Sequence, residues 1–344
     1  MGRWPVLKHI ARGGLVVLGV GGLAWMFWAV GWPAIDANLA AIGGWFGALV
    51  GLYLLAQLAF VLGWWVVIDP GSRPSSFLGL FGVYLAGDAV NYLVPSANLA
   101  GEPVKAHLLR HTVGFGRALT SIAIHKHAEL LAQWLFLCGG MVVCLVQYDL
   151  PLAAELAAAV VIGGLGGVLF FMTWALRKGT FASLLRRLLG WRPLVARLKV
   201  FQPSAEALDA RIQAFYKTQG SWFFAATGWC LVGWCGGLLE TYLILHLLSP
   251  HEGWTTAVAV ETLAMVLNNL FLFIPARLGS AEGVRVGVFA LLGLPTAQGV
   301  AYGIARRGRE LIWTLPGLVV LLRKHAGRLV RPDLPPLASK GLHP

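Results

Sequence analysis

The stretch Asn91–Arg110 reads NYLVPSANLAGEPVKAHLLR and follows a run of residues apolar enough to lie in a bilayer. Pro95 interrupts that run, and Glu102 and Lys105 come shortly after it. A second stretch, Asn269–Gly287, reads NLFLFIPARLGSAEGVRVG and also places a proline before an acidic and a basic residue. Broken backbone at membrane depth must be covered by protein or must line a water-filled cavity. These two stretches therefore decide the fold prediction.

The composition indicates a polytopic integral membrane protein. Of the 344 residues, 58% are hydrophobic and only 12% are charged, whereas soluble domains carry about 25% charged residues. Apolar runs long enough to cross lipid recur along the chain. The first run is too long for the core of a signal peptide, so we predict that it is retained as a span. The predicted spans are 13–31, 42–68, 77–94, 118–147, 152–176, 221–248, 255–274 and 297–322, with a shorter apolar piece at 284–294.

The net charge of +12 is distributed as membrane topology requires, so nucleic acid is not the expected partner. Under the positive-inside rule, every basic segment is cytoplasmic if both termini are cytoplasmic. We predict a multi-pass protein of the bacterial inner membrane whose basic loop 177–220 contacts the anionic leaflet through a surface helix over 181–217. The basic segments are 1–12, 69–76, 105–117, 177–220 and the C-terminal tail, and the loops without Lys or Arg are 32–41, 148–151 and 249–253.

The same orientation predicts two re-entrant hairpins. Residues 77–116 must enter and leave on the cytoplasmic side, and residues 254–295 must enter and leave on the outside. Pro95 and Pro275 would mark the two broken points. The predicted fold is an all-α membrane domain over 1–344, with repeat halves at about 42–147 and 221–322.

Both halves carry the same charged pattern. Each proline begins the motif P-x6-E-x-V-[KR], and each motif is followed on the next helix by [KR]-x-x-E-L. Two matches in the same order and at near-equal spacing argue against chance. Because the hairpins enter from opposite sides, the pattern predicts an inverted repeat, which is a transporter architecture. The matched residues are Pro95, Glu102, Lys105, Lys126 and Glu129 in the first half and Pro275, Glu282, Arg285, Arg307 and Glu310 in the second.

The charged residues of the repeat predict a lipid-binding cavity. An ionisable residue inside the membrane costs roughly 2.5–3.5 kcal/mol on insertion scales, and a three-residue spacing places an acid and a base on one helix face. Each pair could simply neutralise itself and join two helices. Four pairs in a symmetric arrangement favour a polar cavity in which the bases meet an anionic head group. The candidate binding residues are Asn91, Glu102, Lys105, Lys126, Glu129, Asn269, Arg277, Glu282, Arg285, Arg307 and Glu310.

Several other ionisable residues leave more than one interpretation open. Arg277 has no basic counterpart in the first half, where Ala97 stands. It would be an outside-facing phosphate contact or an interfacial residue whose charge snorkels to water. Asp88, Glu240 and Glu261 lie in apolar runs and would be counter-ions, proton sites or hydrogen-bonded packing residues.

The quoted residues NYLVPSANLAGEPVKAHLL (91–109) and FIPARLGSAEGV (273–284) resemble the flippase-like family that includes the membrane domain of lysylphosphatidylglycerol synthases. The chain is also similar to the stand-alone branch of that family associated with hopanoid biosynthesis. The resemblance covers roughly residues 10–325. It implies a lipid-translocating membrane domain with two re-entrant elements and head-group contacts at Glu102, Lys105, Glu282 and Arg285.

Two departures from the family pattern limit what the resemblance implies. The chain ends shortly after the last predicted span, so the cytosolic aminoacyl-transfer domain is expected to be missing and transferase activity is not implied. The segment HKHAE at 125–129 has Lys126 where the family more often has an arginine beside the acidic residue. A lysine is a point charge, which weakens any bidentate contact with phosphate.

The sequence therefore predicts a flippase or transporter for an anionic phospholipid or a polyprenyl-linked lipid. A membrane-embedded lipid-modifying enzyme remains an alternative and would need His107 or His125 to work with Glu129 on one side only. A non-catalytic subunit of an envelope-lipid biosynthesis complex is the other alternative. No catalytic residue, cofactor or metal is expected, because the histidines do not form an H-E-x-x-H pattern. The lipid, the direction of transport, the energy source and the oligomeric state, a homodimer included, stay open.

Overall fold

The computed structural model describes residues 32–94, 98–180, 205–270 and 280–330, and the regular secondary structure in these ranges is helical throughout. This confirms the prediction of an all-α protein. A short 3-10 turn at Pro70–Ser72 joins two of the helices. The α-helices of the described residues are α1 (Trp32–Gly43), α2 (Phe46–Val67), α3 (Phe77–Leu93), α4 (Gly101–Leu109), α5 (Phe115–Gln147), α6 (Leu152–Lys178), α7 (Ala205–Thr218), α8 (Gly220–Leu248), α9 (Trp254–Leu270), α10 (Ser280–Leu291) and α11 (Thr296–Val330).

Four of the described helices, α2, α5, α6 and α8, are long and apolar enough to cross a membrane. Large apolar side chains also lie on the outer surface of these helices, where Val146, Phe170 and Phe224 are each more than 70% exposed. Exposed apolar surface of this extent suits contact with lipid. The chain is therefore a multi-pass membrane protein. The predicted first span, 13–31, lies outside the described residues.

Helices α3 and α9 occupy the places of the two predicted hairpins. Each has 17 residues, which is short of the roughly 20 residues that a membrane-spanning helix needs. The next helix is shorter still, with 9 residues in α4 and 12 in α10. Pro95 and Pro275 lie outside the described residues, so the re-entrant course of the chain stays a prediction.

The last helix, α11, extends well beyond its predicted span of 297–322 and contains Pro316. Arginine and glutamate side chains are concentrated in its middle turns, at residues 306–310. For this reason α11 is not among the four helices that are apolar enough to span by composition. The concentration of charge instead places α11 at the centre of the polar network described below.

The helices of the two halves follow the same order and pack reciprocally. Each half has a long helix, a 17-residue helix, a short helix and a second long helix, namely α2–α5 and α8–α11. Helix α3 packs on α11, and α9 packs on α5, so the 17-residue helix of each half lies against the last helix of the other. Helices α2 and α8 pack against each other between them. This pattern is expected of a structural repeat.

Two glycines lie at the reciprocal contacts. A Cβ atom added at Gly317 of α11 would clash with the backbone carbonyl of Leu85 on α3, and one at Gly140 of α5 would clash with the hydroxyl of Thr262 on α9. As many residues separate Leu85 from Thr262 as separate Gly140 from Gly317. The two glycines are nevertheless not equivalent positions of the charged motif, because Gly140 lies 14 residues after Lys126 and Gly317 only 10 residues after Arg307. In both contacts the last helix of one half approaches the 17-residue helix of the other half at a glycine. Small residues allow helices to approach this closely in lipid. The direction in which each half enters the membrane stays a prediction.

Helix α7 belongs to the basic loop 177–220 and packs against α5, α6 and α8. Leu208 and Ile212 of α7 are buried in a small apolar cluster with Leu176 of α6. The hydroxyl of Tyr216 lies 2.7 Å from Nδ1 of His127 on α5. A helix is therefore present at the end of the predicted surface segment 181–217, and residues 181–204 of that segment lie outside the described residues.

Candidate functional site

The start of α4 is fixed by close contact with the last turns of α3. The side-chain oxygen of Asn91 accepts a 2.7 Å hydrogen bond from the backbone N–H of Gly101. This bond satisfies one of the N–H groups that a helix start leaves free. A Cβ atom at Gly101 would clash with the carbonyl of Gly87 on α3. Asn91, a predicted lipid-binding residue, thus has a structural role in positioning α4.

Lys105 is the most deeply buried predicted residue of the first half, with 4% of its surface exposed. Its Nζ atom lies 3.0 Å from Oε1 of Glu102, as the three-residue spacing predicted. The ammonium group also faces the rings of Tyr84 and Trp64, 4.6 and 5.8 Å from the ring centroids. An ammonium group is attracted to an aromatic face. The absence of a side chain at Gly87 leaves room for the lysine stem.

The second predicted pair of the first half is also present. Nζ of Lys126 lies 2.9 Å from Oε1 of Glu129, and the two side chains are 14% and 18% exposed. Lys105 is close enough to act on Glu129 electrostatically, so the two pairs form one charged cluster. The neighbouring His125 is buried, and its Nε2 atom lies 3.0 Å from the backbone oxygen of Phe60.

In the second half, the charges pair across helices. Spacing predicted that Glu282 would pair with Arg285 within α10, yet Glu282 lies 2.8 Å from Arg307 of α11. Arg285 reaches Glu310 of α11 at 3.4 Å and donates to the backbone oxygen of Gly303 at 3.3 Å. The third contact, between Arg307 and Glu310, spans 3.7 Å. Because α10 and α11 lie side by side, each acid meets the base of the neighbouring helix, and the charges join the two helices.

Arg307 also connects the two halves. Its Nη1 atom donates a 2.7 Å hydrogen bond to the hydroxyl of Tyr92, and the guanidinium lies 5.5 Å from the centroid of the same ring. Tyr92 lies near the end of α3, just before Pro95. One arginine therefore contacts the end of the first-half helix and, through Glu282, the short helix of the second half.

The other two predicted binding residues of the second half are Asn269 and Arg277. Asn269 is half-buried near the end of α9 and donates a 2.9 Å hydrogen bond to the backbone oxygen of Met265. That bond within the helix gives Asn269 a local structural role. Arg277 lies outside the described residues.

A further charged network lies deeper in the second half, and its arginines were not among the predicted binding residues. Arg309 of α11 donates a 2.7 Å hydrogen bond to Glu240 of α8, and their side chains are only 3% and 1% exposed. Arg306 pairs with Glu261 of α9 and lies 3.7 Å from Glu240. The hydroxyl of Thr241 donates a 2.6 Å hydrogen bond to Glu261. A glutamate in an apolar run requires a partner. The arginines of the segment RRGREL at 306–311 could have been predicted as those partners.

The site thus consists of two clusters, one in each half, and Arg307 of the second cluster contacts Tyr92 of α3 in the first half. In the first cluster the charges pair within α4 and within α5. In the second cluster two pairs join α10 to α11, and the longer contact between Arg307 and Glu310 lies within α11. Side chains of both clusters are partly accessible, with Arg307 16% and Glu310 22% exposed. Such an arrangement can exchange a carboxylate partner for another anion, because a guanidinium binds phosphate and carboxylate with the same fork.

The chain is similar to known membrane proteins. The family model described as "Lysylphosphatidylglycerol synthase TM region" matches residues 12–317, which include both clusters. A "UPF0104 membrane protein" of Methanothermobacter thermautotrophicus is 26% identical over 314 residues, covering 85% of this chain and 89% of that protein. No solved structure matches the chain.

Proposed function

Because the chain belongs to the family of lysylphosphatidylglycerol synthase membrane regions, we propose that it is a lipid flippase. Its substrate would be an anionic phospholipid or a polyprenyl-linked lipid, moved across the bacterial inner membrane with both termini in the cytoplasm. The observation that carries the proposal is the position of Arg307, which contacts Tyr92 of the first half and Glu282 of the second. A basic residue between α3 of the first half and α10 of the second suits a head group that must pass between them.

The exposure of the side chains distinguishes the basic residues that could bind a head group from those that hold the helices together. The side chains of Lys126 and Arg307 are 14% and 16% exposed, whereas those of Arg309 and Glu240 are 3% and 1% exposed. Breaking a fully buried ion pair is strongly unfavourable, so the deeper pair holds the helices together. The accessible bases can change partners at lower cost, and they are the groups that would meet the head group.

The proposed transport step is an exchange of partners. A phosphate oxygen of the head group would replace Glu282 on Arg307, and a second oxygen would approach Lys126 of the other cluster. The released carboxylate of Glu282 could then pair with Arg285, which is on the same face of α10. Because the two clusters belong to equivalent positions of the repeat, the head group could be received by either one. Two repeats that enter the membrane in opposite directions would then present the site alternately to each leaflet.

The test is lipid movement in proteoliposomes. We would measure the rate at which fluorescent anionic, zwitterionic and polyprenyl-phosphate lipids cross the bilayer of vesicles that contain the wild type, Lys126→Met or Arg307→Met. Movement of one anionic class, reduced at least about tenfold in both variants, is expected, since a lost charged hydrogen bond costs about 1.5–3 kcal/mol. Arg117→Met is the matched control, because Arg117 is exposed at the start of α5, outside both clusters. A folded wild type that moves no lipid would refute the proposal.

The same vesicles distinguish the two alternatives. A membrane-embedded enzyme would change the mass of the lipid, which mass spectrometry of the extracted lipids would detect. A subunit of a biosynthesis complex would neither move nor modify lipid, and charge-neutral substitutions in the clusters would then have no effect on growth or lipid composition. The contact between His125 and the backbone of Phe60 gives that imidazole a structural role, and so does not favour the enzyme.

A further inference from the structure

The charges of the second cluster and of the deeper network balance each other, whereas those around the first cluster do not. The second cluster and the deeper network together hold four glutamates and four arginines, and each takes part in at least one ion pair. In the first cluster, two lysines pair with two glutamates, and one further carboxylate lies beside them. The balanced set is Glu240, Glu261, Glu282, Glu310, Arg285, Arg306, Arg307 and Arg309, and the remaining carboxylate is Asp88.

Asp88 lies on α3, half-buried, and takes part in none of the ion pairs of the described residues. Its hydrogen-bond partner is the side-chain amide of Gln57 on α2, whose Nε2 atom donates to Oδ2 at 3.1 Å. Gln57 is itself 3% exposed. An amide orients a carboxylate without neutralising it. Lys105 and Lys126 act on Asp88 electrostatically, but each has a glutamate 2.9–3.0 Å from its Nζ atom.

Charged and titratable groups face Asp88 from the helices around it. Those of the first cluster act on it directly, while α11 reaches α3 one turn further along, at Tyr92. The bases nearest Asp88 are matched by acids, so the surroundings as a whole do not supply the missing positive charge. The groups that interact with Asp88 directly are Tyr53 of α2, Tyr84 of α3, Lys105 of α4, and Lys126 and Glu129 of α5. Arg307 and Glu310 of α11 interact with Tyr92 instead.

An uncompensated carboxylate in a membrane helix is costly when ionised, and a bound proton removes that cost. A metal cation would require several oxygen ligands around it. The group that faces Asp88 is an N–H donor, and the described residues contain no cluster of three His, Cys, Asp or Glu side chains suited to a metal ion. The chemistry at Asp88 therefore fits a proton better than a sodium or calcium ion.

Asp88 is also connected to the second half. The Nε2 atom of Gln57 donates to the hydroxyl of Tyr53 at 2.9 Å as well as to Asp88. The guanidinium of Arg309 lies 3.7 Å from the centroid of the Tyr53 ring and pairs with Glu240. A change of charge at Asp88 would thus alter the field at the buried pair that joins α8 to α11.

We propose that Asp88 is the proton-binding site of this protein and that a proton gradient drives lipid movement. The carboxylate takes up a proton from water on one side of the membrane and releases it to water on the other, so that one proton moves for each lipid. Protonation removes the excess negative charge of the first cluster, and the cluster can then accept an anionic head group. The inference rests on the proposed function, since it names the energy source for the same site.

The first experiment measures the distribution of the labelled lipid between leaflets under an imposed pH difference. With one proton for each lipid, the ratio between the leaflets should change about tenfold per pH unit. Asp88→Asn should still equilibrate the lipid but show no response to the pH difference, whereas Asp88→Glu should respond. Asp36→Asn, at an exposed aspartate of α1, is the matched control and should respond like the wild type. A sodium gradient at equal pH should have no effect on any of these proteins.

The outcomes separate the two proposals. If the wild type equilibrates the lipid but ignores the pH difference, or if Asp88→Asn responds to it, proton coupling at Asp88 is wrong and the flippase stands. If the folded wild type moves no lipid, the flippase is wrong, and infrared spectroscopy then tests the proton site alone. A protonated-carboxyl band that titrates in the wild type and is lost in Asp88→Asn would support the site, and its absence from the wild type would overturn it.

Discussion

The hydroxyl of Tyr92 accepts a 2.7 Å hydrogen bond from Arg307, so the end of α3 in the first half is attached to α11 in the second. Arg307 also holds Glu282 of α10, and the contact therefore involves elements of both predicted hairpins. Neither α3 nor α10 can shift without changing the surroundings of this arginine. The end of α3 and the second cluster should accordingly respond to a head group together.

We expect Tyr92→Phe to slow lipid movement while the protein stays folded. The substitution removes the hydroxyl acceptor but keeps the ring under the guanidinium. A hydrogen bond to a charged group contributes about 1.5–3 kcal/mol, so a decrease of roughly tenfold or more in the flipping rate is expected. The measurement is the initial rate of fluorescent lipid movement in proteoliposomes.

Tyr148→Phe is the control for the Tyr92 prediction. The hydroxyl of Tyr148 donates a 3.1 Å hydrogen bond to Thr256, away from both clusters. Its loss should reduce the free energy of unfolding by about 1 kcal/mol and leave the flipping rate near that of the wild type. Equal rates for the wild type and Tyr92→Phe would show that the contact between the halves has no part in transport.

The glycine that begins α4 offers a second prediction. A Cβ atom at Gly101 would clash with the backbone carbonyl of Gly87 and with the side chain of Asn91. Forcing an extra methyl group into a close contact costs typically about 1–3 kcal/mol. Gly101→Ala should therefore lower the free energy of unfolding by about that amount, measured by denaturant titration in mixed micelles, and should displace Lys105.

The corresponding short helix of the second half supplies the control for Gly101→Ala. A Cβ atom at Gly283 of α10 would have no heavy atom of the described surroundings within 4 Å. Alanine in a helix interior is favoured over glycine by roughly 0.5–1 kcal/mol, so Gly283→Ala should be neutral or slightly stabilising. If both variants lose the same stability, the close approach of α4 to α3 is not the cause.

Much of the fold could be predicted from the sequence because lipid imposes strict requirements on composition and length. The long apolar helices and the pairs at Lys105 and Lys126 follow from hydrophobic runs and three-residue spacing. The sequence predicted a repeat because the same charged pattern recurs in order in both halves. The Lys/Arg distribution predicted orientation, which no contact between described residues tests.

The pairing of the second half could not be predicted in the same way. Spacing within one helix gives the nearest acid and base on that helix, and it misses partners that packing brings from another helix. Glu282 meets Arg307 because α10 and α11 lie side by side. Arg306 and Arg309 were missed for the related reason that their partners, Glu261 and Glu240, are far away in sequence.

The buried pair of Arg309 and Glu240 should behave as one structural unit. Removing one member of a buried ion pair leaves an unpaired charge and typically costs about 3–5 kcal/mol. We expect Glu240→Met to cost more than Arg309→Met, because Arg306 lies 3.7 Å from Glu240 and can partly replace the missing arginine. The measurement is the free energy of unfolding of each single variant.

The double variant of Arg309 and Glu240 completes that test. Two methionines remove both charges, so no unpaired group remains and the loss should be clearly smaller than the sum of the two single losses. Strict additivity would mean that the two side chains do not stabilise each other, and that the network owes its stability to contacts elsewhere.

Gly317 and Gly140 provide a direct test of the close packing between the two halves. At Gly317, a methyl group would meet the backbone carbonyl of Leu85, which cannot move unless α3 moves as well. At Gly140, it would meet the side chain of Thr262, which can rotate away. Gly317→Ala should therefore destabilise by about 1–3 kcal/mol, and Gly140→Ala should destabilise in the same direction by less.

Gly139→Ala is the control for both, since a Cβ atom there would meet nothing within 4 Å among the described residues. Its free energy of unfolding should rise by up to about 0.5–1 kcal/mol, because alanine is favoured over glycine inside a helix. Denaturant titration in mixed micelles measures all three free energies of unfolding, and a flipping assay on the same samples shows whether the interfaces also govern transport. If Gly317→Ala is as stable as Gly139→Ala, the close packing of α3 on α11 is wrong. Destabilisation of both Gly317→Ala and Gly140→Ala, with Gly139→Ala unaffected, would establish that both close contacts between the halves exist in the folded protein.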